Sequence, residues 1–336
     1  MLNVALCGCG FVGRIHAKAY SNIKDAQVSG VFDLNQEKSS ALAEEIGVKQ
    51  YTRLAEILSD DSIDIVDVCV PTFLHREFTE NSLQADKHVL CEKPIALTVS
   101  DAEAMVNAAE KAATLLMIGH THRFYIENVL VHEAAQAGRL GEVLSCSAYR
   151  LGVMPDWSEG RWMANGEKSG GAATDFILHD IDLCNWIGGT PRLVMAQGVR
   201  SQTGAWDYMD ISIHYENGVK GFVEGGWMFK GEWPFTQEHR IMGKKGTAQW
   251  RSRMGKNIEG RMEADTVVGI FIDAESASFP KWEKRDPFEK EIEYFIGCVS
   301  AQKPVETIRP LDALTALKVS LAAKKSAETL KPIKIR

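Results

Sequence analysis

The first 120 residues alternate short apolar runs with amphipathic stretches, and this alternation restricts the fold more than any other feature of the chain. Strand–helix alternation of this kind predicts right-handed βαβ units, which build a parallel sheet with helices on both faces. Ser100 is followed three residues later by Glu103, a capping box that predicts a helix ending at about residue 112. The predicted strands are 3–7, 27–33, 63–70, 88–91 and 115–119, and the helices between them include 35–46 and 75–85.

After Phe124 the periodicity changes and predicts a second domain. Residues 193 to about 271 mostly alternate with a period of two, and Asn217-Gly218 is a hairpin signal, so we expect a largely antiparallel open sheet with helices on one face. The other predicted elements are a helix at about 126–137, a strand at about 142–150, a helix in "DFILHDIDLCNWIGG", and two final helices at about 287–300 and 311–328.

The predicted fold class is therefore α/β with two domains. We place a doubly wound Rossmann domain at 1–122 and an α/β domain, for substrate binding and oligomerisation, at 123–336. The last helix of the second domain can pack back on the first.

Charge and cysteine content argue against several classes of protein. The 336 residues carry a formal net charge of −7, which disfavours nucleic acid or an anionic membrane as the main partner. No apolar run approaches the roughly 20 residues that span a bilayer, and the apolar N-terminus leads into a glycine turn, as a buried strand does and an export signal does not. The seven cysteines are scattered without a CxxC pair, so we expect reduced thiols and a cytoplasmic protein.

The sequence "GCGFVG" at 8–13 has the G-x-G-x-x-G spacing of a dinucleotide-binding turn. Gly8 permits a tight turn, Gly10 lets the backbone approach a pyrophosphate, and Gly13 allows helix and strand to pack closely. The helix that opens with Phe11 and Val12 offers free N–H groups and a partial positive charge to the phosphates. Because the turn follows a strand and opens a helix, a dinucleotide site is favoured over a glycine turn that only connects packed elements.

Asp33 ends the next predicted strand, 20 residues after Gly13. A carboxylate at this place can accept hydrogen bonds from both ribose hydroxyls of NAD and repels the extra phosphate of NADP. No arginine adjoins Asp33, so we predict NAD as the cofactor, although Lys38 keeps NADP open.

Two further stretches carry candidate catalytic groups. Lys93 of "CEKPI" follows a strand at its carboxyl end, where open parallel sheets place ligands, although position alone favours a surface lysine before a proline. The stretch "DFILHDID" at 175–182 places three aspartates and a histidine in eight residues. A metal site would need further ligands, and H-x-x-D lacks the second histidine of a zincin helix, so we predict no metal.

A continuous helix over this second stretch would separate its polar side chains from its apolar ones. Asp180 would point away from both faces, solvated or paired on the helix surface. The residues that share the polar face are Asp175, His179, Asp182 and Trp186. The residues opposite are Ile177, Ile181 and Cys184. Helix polarity alone explains one or two of the polar residues, but not all of them.

The chain resembles the Gfo/Idh/MocA family of glucose–fructose oxidoreductases, inositol dehydrogenases and related sugar enzymes. The motifs that carry the resemblance, in order, are "GCGFVGRIHAKAY", "HVLCEKPIALTVSDAEAMV", "HRF", "GGAATDFILHDIDLCNWIGG" and "PFEKEIEYFIGCVSAQKP". The E-K-P signature together with the D-x-x-x-H helix is specific to the family, whereas the glycine pattern alone is not.

The resemblance implies roles for residues in both domains. Lys93, Asp175 and His179 match the family's catalytic lysine, aspartate and histidine. The residues that the resemblance places near the cofactor are Pro71, Thr72 and His75, with Glu92 beside the nicotinamide ribose. Phe73 stands where many members carry asparagine, and Arg123 stands where the family often has a basic residue near the substrate.

These residues predict a proton relay for oxidising a secondary alcohol, which must lose a hydride from carbon and a proton from oxygen. We expect His179 to act as general base in oxidation and general acid in reduction, because an imidazole pKa near ~6.5 suits proton exchange at neutral pH. Asp175 would orient the substrate or the imidazole, and Lys93 would stabilise the developing alkoxide.

The loop 152–171 precedes this stretch and is the expected substrate wall. Trp162, like Trp157, offers a flat apolar face to a pyranose or cyclitol ring, and Asp156, like Arg161, offers a partner for its hydroxyls. A surface loop with inward-packed tryptophans would explain the same residues. The resemblance implies a polyhydroxylated ring substrate without choosing among inositols, aldoses, glycosides and amino sugars.

Three hypotheses about function remain. The favoured one is an NAD-dependent dehydrogenase of a sugar or cyclitol. The others are a redox-assisted glycoside hydrolase or lyase that keeps its NAD bound, and a non-catalytic nucleotide sensor on the same fold. A homodimer or homotetramer is expected in each case, because an open antiparallel sheet with apolar residues such as those of 219–229 needs its outer face covered.

Overall fold

The structure, a computed structural model, describes residues 1–154, 165–201, 204–254 and 265–335. The chain forms two compact units. The first consists of residues 1–124 and 285–314, and the second of 125–284 and 315–336. The segment 285–314, which the sequence division places in the second domain, thus belongs to the first unit.

Six strands of the described chain form a sheet in the first unit, in the order β3-β2-β1-β4-β5-β6. Every neighbouring pair is parallel, so the predicted doubly wound Rossmann sheet is confirmed. The strands are β1 Leu2–Cys7, β2 Ala26–Phe32, β3 Lys49–Gln50, β4 Ile65–Val68, β5 His88–Glu92 and β6 Leu116–Gly119. The helices are α1 Phe11–Tyr20, α2 Gln36–Ile46, α3 Leu54–Leu58, α4 His75–Gln84, α5 Val99–Lys111 and, later in the chain, α10 Pro287–Ala301.

Helix α10 belongs to this unit because its apolar side packs into the unit's core. Ile292, Phe295 and Ile296 join a buried cluster with Tyr20 of α1. The helix starts where Asp286 accepts a hydrogen bond from the backbone N–H of Phe288, with Pro287 at the first helical position.

Helix α5 begins two residues before the position that the capping-box prediction gave, so that prediction was wrong. Thr98, not Ser100, is the N-cap, and its hydroxyl oxygen accepts from the backbone N–H of Asp101 at 3.1 Å. The Thr98 hydroxyl also donates to the Asp101 carboxylate at 2.7 Å. The sequence contains two overlapping N-cap patterns, one starting at Thr98 and one at Ser100, and the helix uses the first.

We expect Thr98→Ala to lower the free energy of unfolding by about 1 kcal/mol, the usual loss for an N-cap hydroxyl. Ser100→Ala is the matched control, because Ser100 lies inside the helix and should change stability far less. Urea unfolding of the two variants measures the difference. A larger loss at Ser100 would contradict the assignment of the cap.

The second unit contains an eight-stranded sheet in its described residues, in the order β13-β12-β11-β7-β10-β9-β8-β14. The pair β7–β10 is parallel and the others are antiparallel, so the predicted largely antiparallel sheet is confirmed. The predicted hairpin at Asn217-Gly218 joins β9 to β10, with Gly218 at φ 91°. The strands are β7 Val143–Leu151, β8 Pro191–Arg200, β9 Trp206–Tyr215, β10 Lys220–Gly226, β11 Phe235–Gly243, β12 Gly246–Met254, β13 Asp265–Ile272 and β14 Ile333–Lys334.

Helices cover one face of this sheet. The second unit's helices are α6 Ile126–Gln136, α7 Gly166–Ser169, α8 Ala172–Asp175, α9 Leu178–Gly188 and most of α11 Pro310–Thr329. Their apolar residues pack with inward residues of the strands, as Ile177 and Ile181 do with Met209 and Val223. Among the described residues, no helix has the length and apolar character to cross a membrane.

The opposite face of the second sheet, which we call the outer face, carries large apolar side chains. They are 42% to 48% exposed. These side chains are Met195, Phe222, Met242 and Phe271. Phe222 lies in one cross-strand row with Met195, because both pair with Ser212 of β9.

Candidate functional site

The glycine turn lies between the end of β1 and the start of α1, at the carboxyl ends of the central strands. The strand order reverses between β1 and β4, which is where open parallel sheets bind ligands. Gly8 has φ +105°, a conformation that side chains disfavour, and a Cβ there would lie 2.4 Å from the carbonyl oxygen of Cys69. Its N–H donates to the carbonyl of Phe32 at 2.7 Å, which holds the turn against the neighbouring strand.

Gly10 and Gly13 have opposite surroundings. A Cβ at Gly13 would lie 1.9 Å from the carbonyl oxygen of Gly8, so only glycine lets α1 approach the turn this closely. A Cβ at Gly10 would meet no heavy atom within 4 Å. This open space lies next to the first turn of the ten-residue helix α1, at Phe11 and Val12, where the positive end of the helix dipole lies. A pyrophosphate fits this cradle of space and donors.

Asp33 follows β2 and is tied to the same turn. One carboxylate oxygen accepts from the backbone N–H of Cys9 at 2.7 Å, and the other accepts from the N–H of Asn35 at 2.8 Å. Each oxygen keeps a lone pair for a ribose hydroxyl. The turn, the helix start and the carboxylate are thus joined in one place, as a dinucleotide site requires.

The segment after β4 supplies Pro71, Thr72 and His75. Thr72 begins a short 3-10 turn and is buried, whereas the unusual Phe73 is 53% exposed. The His75 ring is buried, with Nδ1 2.8 Å from the carbonyl oxygen of Pro94 and Nε2 2.9 Å from that of Val70. Burial lowers the pKa of His75. The ring thus links the end of β4 to the E-K-P turn after β5.

Glu92 and Lys93 end strand β5 and begin that turn. Lys93 is half-buried, and its backbone N–H donates to Glu92 Oε2 at 3.1 Å. Gly119, on the neighbouring strand β6, makes room for the carboxylate, because a Cβ there would lie 2.9 Å from Glu92 Oε1.

Behind Glu92 lies a buried polar cluster that the sequence analysis missed. His16 Nδ1 is 2.9 Å from Asp67 Oδ2, and His16 Nε2 is 3.2 Å from Glu92 Oε1. Glu291 of α10 is also fully buried and accepts a hydrogen bond from the Thr121 hydroxyl at 2.8 Å. The sequence held one signal for it: Glu291 shares the apolar side of α10 with Phe295 and Cys298, and a charged group there needs a buried partner.

The cluster shifts the pKa values of two members. Burial would lower the pKa of His16, but attraction to Asp67 and hydrogen bonding with it prevail, and the pKa is raised. Burial, together with repulsion from Glu92, raises the pKa of Glu291 well above its ordinary value. The cluster therefore favours the imidazolium form of His16 and the neutral, protonated form of Glu291.

We expect Glu291→Gln to stabilise the protein progressively as the pH rises. The unfolded chain releases the Glu291 proton above about pH 4.3, whereas the folded chain keeps it, so folding of the wild type weakens by up to about 1.4 kcal/mol per pH unit until the folded-state pKa is reached. The amide cannot ionise and lacks this dependence. Urea unfolding of both proteins between acidic and neutral pH measures the difference.

Glu293→Gln is the control for this prediction, because Glu293 is an exposed residue of the same helix. It should leave the difference from wild type constant with pH. If Glu291→Gln and wild type give parallel stability curves, Glu291 ionises in the folded protein and the assignment fails.

In the second unit, Asp175 and His179 lie on two helices, so the prediction of one continuous helix was wrong. Helix α8 ends at Asp175 and α9 begins at Leu178. The Ile177 N–H donates to the carbonyl of Ala172, a wider turn than that of an α-helix, which separates the two helices. Asp175 is 6% exposed and His179 is half-buried.

Contacts with the sheet and with α11 fix α8 in place. The Ser320 hydroxyl donates to the carbonyl of Ala173 at 2.8 Å, and the backbone N–H of Ala172 donates to Asp207 Oδ1 at 3.2 Å. Asp175 therefore extends from a helix whose backbone is held on two sides.

Asp180 is not solvated, contrary to the sequence-based expectation. It is 2% exposed, and its carboxylate accepts from Arg150 Nε of β7 at 2.6 Å. Burial raises the pKa of Asp180, and Arg150 opposes that rise. The prediction failed because the partner comes from a strand 30 residues earlier, which helix periodicity cannot reveal. Ile177, Ile181 and Cys184 are fully buried, as expected.

The candidate substrate residues differ in what the structure describes. Arg123 is 4% exposed, and its Nη1 donates to the carbonyl oxygen of Thr307 at 2.6 Å and lies 3.7 Å from Asp312. Asp156 and Trp162, together with Trp157 and Arg161, lie outside the described residues.

Two family models match the chain. Residues 2–120 match an oxidoreductase family with an NAD-binding Rossmann fold, and residues 129–249 match the Gfo/Idh/MocA C-terminal domain. The first match covers the turn at Gly8–Gly13, Asp33 and Lys93, and the second covers Asp175 and His179.

Known proteins and solved structures are similar to this chain over most of its length. A myo-inositol 2-dehydrogenase of Thermotoga maritima is 25% identical over 99% of this chain and 98% of its own length. An uncharacterized oxidoreductase of Streptococcus pneumoniae is 32% identical over 82% of this chain and 75% of its own. The crystal structure of an aldose-aldose oxidoreductase of Caulobacter crescentus has the same fold, with a TM-score of 0.86 at 22% identity and 99% coverage of both chains. The chain belongs to the Gfo/Idh/MocA family of oxidoreductases, and its first unit carries that family's NAD-binding Rossmann fold.

Proposed function

We propose that this protein transfers a hydride between a secondary alcohol of a sugar or cyclitol and the nicotinamide of NAD. The observation that carries the proposal is the dinucleotide cradle, with open space at Gly10, the start of α1 and the carboxylate of Asp33 joined to one turn. Lys93 stands at the carboxyl end of β5 in the same unit. The likeness to a myo-inositol 2-dehydrogenase over almost all of both chains supports the substrate class.

In the proposed mechanism, His179 takes the proton of the substrate hydroxyl during oxidation and returns it during reduction. Lys93 donates a hydrogen bond to the same oxygen and stabilises its developing negative charge. Asp175 orients the substrate or the imidazole. NAD, when bound, accepts the hydride from the carbinol carbon. Arg123, Asp156 and Trp162 are proposed to contact the substrate.

Asp33 is proposed to favour NAD over NADP. Its two oxygens already accept backbone N–H bonds from Cys9 and Asn35, which fixes the carboxylate where the ribose hydroxyls of NAD would bind. A phosphate there would meet this negative charge at short range. Lys38 is close enough in sequence to offset part of the repulsion.

The deciding experiment measures NADH formation against a panel of inositols, hexoses and glycosides, with NADP as the parallel cofactor. Release of NADH with an inositol or aldose supports the proposal. Substrate cleavage without net NADH would indicate a redox-assisted hydrolase or lyase. Tight NAD binding with no conversion of any panel member would indicate a nucleotide sensor. Tighter binding of NADP than of NAD would overturn the role of Asp33.

The protein is proposed to work in the cytoplasm. All seven cysteines are free, and six of them are buried. Free thiols persist in a reducing compartment, which supports this location.

A homo-oligomer is proposed to form through the outer face of the second sheet. Besides its apolar residues, this face carries charges of both signs, among them Arg240 and Glu238, 3.4 Å apart on β11. In a two-fold dimer the apolar residues of the two copies would lose their contact with water.

We expect Phe222→Asp to convert the oligomer to monomer, because a charge in the centre of an apolar interface must be desolvated without a partner. Sedimentation velocity at several concentrations measures the change. Leu330→Asp is the control, since Leu330 is 74% exposed and lies after α11. A wild type that is monomeric at working concentration would contradict the proposal.

A further inference from the structure

The cluster behind Glu92 places a histidine between two buried carboxylates. His16 and Asp67 are 0% exposed and Glu92 is 7% exposed. The distances from Nδ1 to Asp67 and from Nε2 to Glu92, 2.9 and 3.2 Å, are both hydrogen-bond distances. Only an imidazolium can donate from both nitrogens at once. The geometry therefore fits a charged ring that donates to both carboxylates.

Glu92 is held from two sides. Its Oε1 faces His16, and its Oε2 accepts the backbone N–H of Lys93, the next residue of the E-K-P turn. The space left by Gly119 lets the carboxylate lie flat against β6. The contact with His16 thus helps to fix the orientation of the Glu92 carboxylate at the carboxyl end of β5.

We propose that His16 is a positioning residue for Glu92: its imidazolium holds the carboxylate in one orientation for the nicotinamide ribose. This inference rests on the proposed function, which assigns Glu92 to that ribose. His16 itself touches neither cofactor nor substrate in this assignment.

Charge balance supports a proton rather than a metal ion in this cluster. Two buried carboxylates need a cation, and the imidazolium supplies it at hydrogen-bond distance from both. Burial and repulsion from Glu92 raise the pKa of Glu291, so this third carboxyl is neutral and adds no negative charge. A metal ion would need a ring nitrogen as a ligand at about 2.0–2.1 Å, and the two ring nitrogens lie at hydrogen-bond distance from Asp67 and Glu92.

The groups that face His16 come from four elements. Asp67 belongs to β4, Cys69 follows that strand, and Glu92 belongs to β5. Glu291 and the ring of Phe288 come from α10. Tyr20 comes from α1 and faces Asp67. Burial, with Asp67, raises the pKa of Cys69 and of Tyr20, so both stay neutral.

The test is a matched pair of variants, His16→Gln and His16→Asn. Glutamine places an amide N–H₂ where Nε2 stands and can still donate to Glu92. Asparagine places it where Nδ1 stands and can donate only to Asp67. Both variants lose the imidazolium, and they differ in which carboxylate keeps a donor: Glu92 in His16→Gln and Asp67 in His16→Asn.

The NAD dissociation constant, measured by fluorescence titration, is expected to rise on the order of tenfold more in His16→Asn than in His16→Gln, the usual weight of one charge-assisted hydrogen bond. Equal constants would overturn the proposal.

Nitrogen NMR of the wild type gives a second readout that does not depend on activity. The His16 signals, identified by their loss in His16→Gln, are expected to show both ring nitrogens protonated from pH 7 to 8. A neutral ring, or a metal ion bound in stoichiometric amount to His16, would overturn the proposal. If no sugar is oxidised while both expected results are found, the proposed substrate chemistry fails and the role of His16 stands.

Discussion

His179→Ala is expected to lower kcat on the order of 10²- to 10⁴-fold, the range for loss of a general acid–base. The reason is that an alcohol releases its hydride readily only as its proton leaves, and the variant has no group to receive that proton. NAD binding should persist, because every residue of the dinucleotide cradle lies in the other unit. Steady-state NADH formation and NAD titration together measure the two effects.

Lys93→Met, alone and combined with His179→Ala, tests whether the two residues serve one reaction. If both act on the same hydroxyl, the double variant should lose little more activity than the worse single variant, because residues that act as a unit are not additive. Losses that multiply would mean that the two residues act in separate steps.

Two single substitutions serve as controls. His214→Ala removes a histidine from the outer face of β9, and Lys111→Met removes a lysine from the end of α5. Both should keep wild-type turnover. Unchanged turnover in His179→Ala and Lys93→Met as well, with cofactor bound, would remove the mechanism.

The parts of the molecule that sequence could predict are those that depend on neighbouring residues. The spacing of Gly8, Gly10 and Gly13 is a local pattern, and each glycine has the surroundings that its predicted role requires. Period-two alternation likewise gave the second sheet, because a strand's two faces are set by its own sequence. The predicted start of α5 failed by two residues, since Thr98 and Ser100 offer competing caps and the choice between them is a small energy difference.

The parts that sequence could not predict depend on partners far along the chain. Arg150 and Asp180 form a buried ion pair, and His16 meets Asp67 and Glu92 across 51 and 76 residues. Nothing in the local pattern of these residues distinguishes a paired charge from a solvated one. The same limit applied to the break between α8 and α9, where packing against the sheet outweighs helical periodicity.

The glycine turn allows a test that separates cofactor binding from folding. We expect Gly10→Ala to raise the NAD dissociation constant on the order of a hundredfold, through loss of two charge-assisted hydrogen bonds from backbone N–H to pyrophosphate. Its stability should change by less than about 1 kcal/mol, because φ at Gly10 is −75° and a Cβ there meets no protein atom within 4 Å.

Gly13→Ala, three residues away, is expected to lower the stability of the protein instead of acting on NAD binding directly. Its Cβ would lie 1.9 Å from the Gly8 carbonyl oxygen, so α1 must move away from the turn. Overpacking of this sort against backbone costs roughly 3 kcal/mol. Urea unfolding without NAD measures the stability of the two variants. NAD titration of the folded variants measures their NAD dissociation constants. If Gly10→Ala bound NAD like the wild type, the pyrophosphate would not lie over this turn, and the cradle described here would not be the cofactor site.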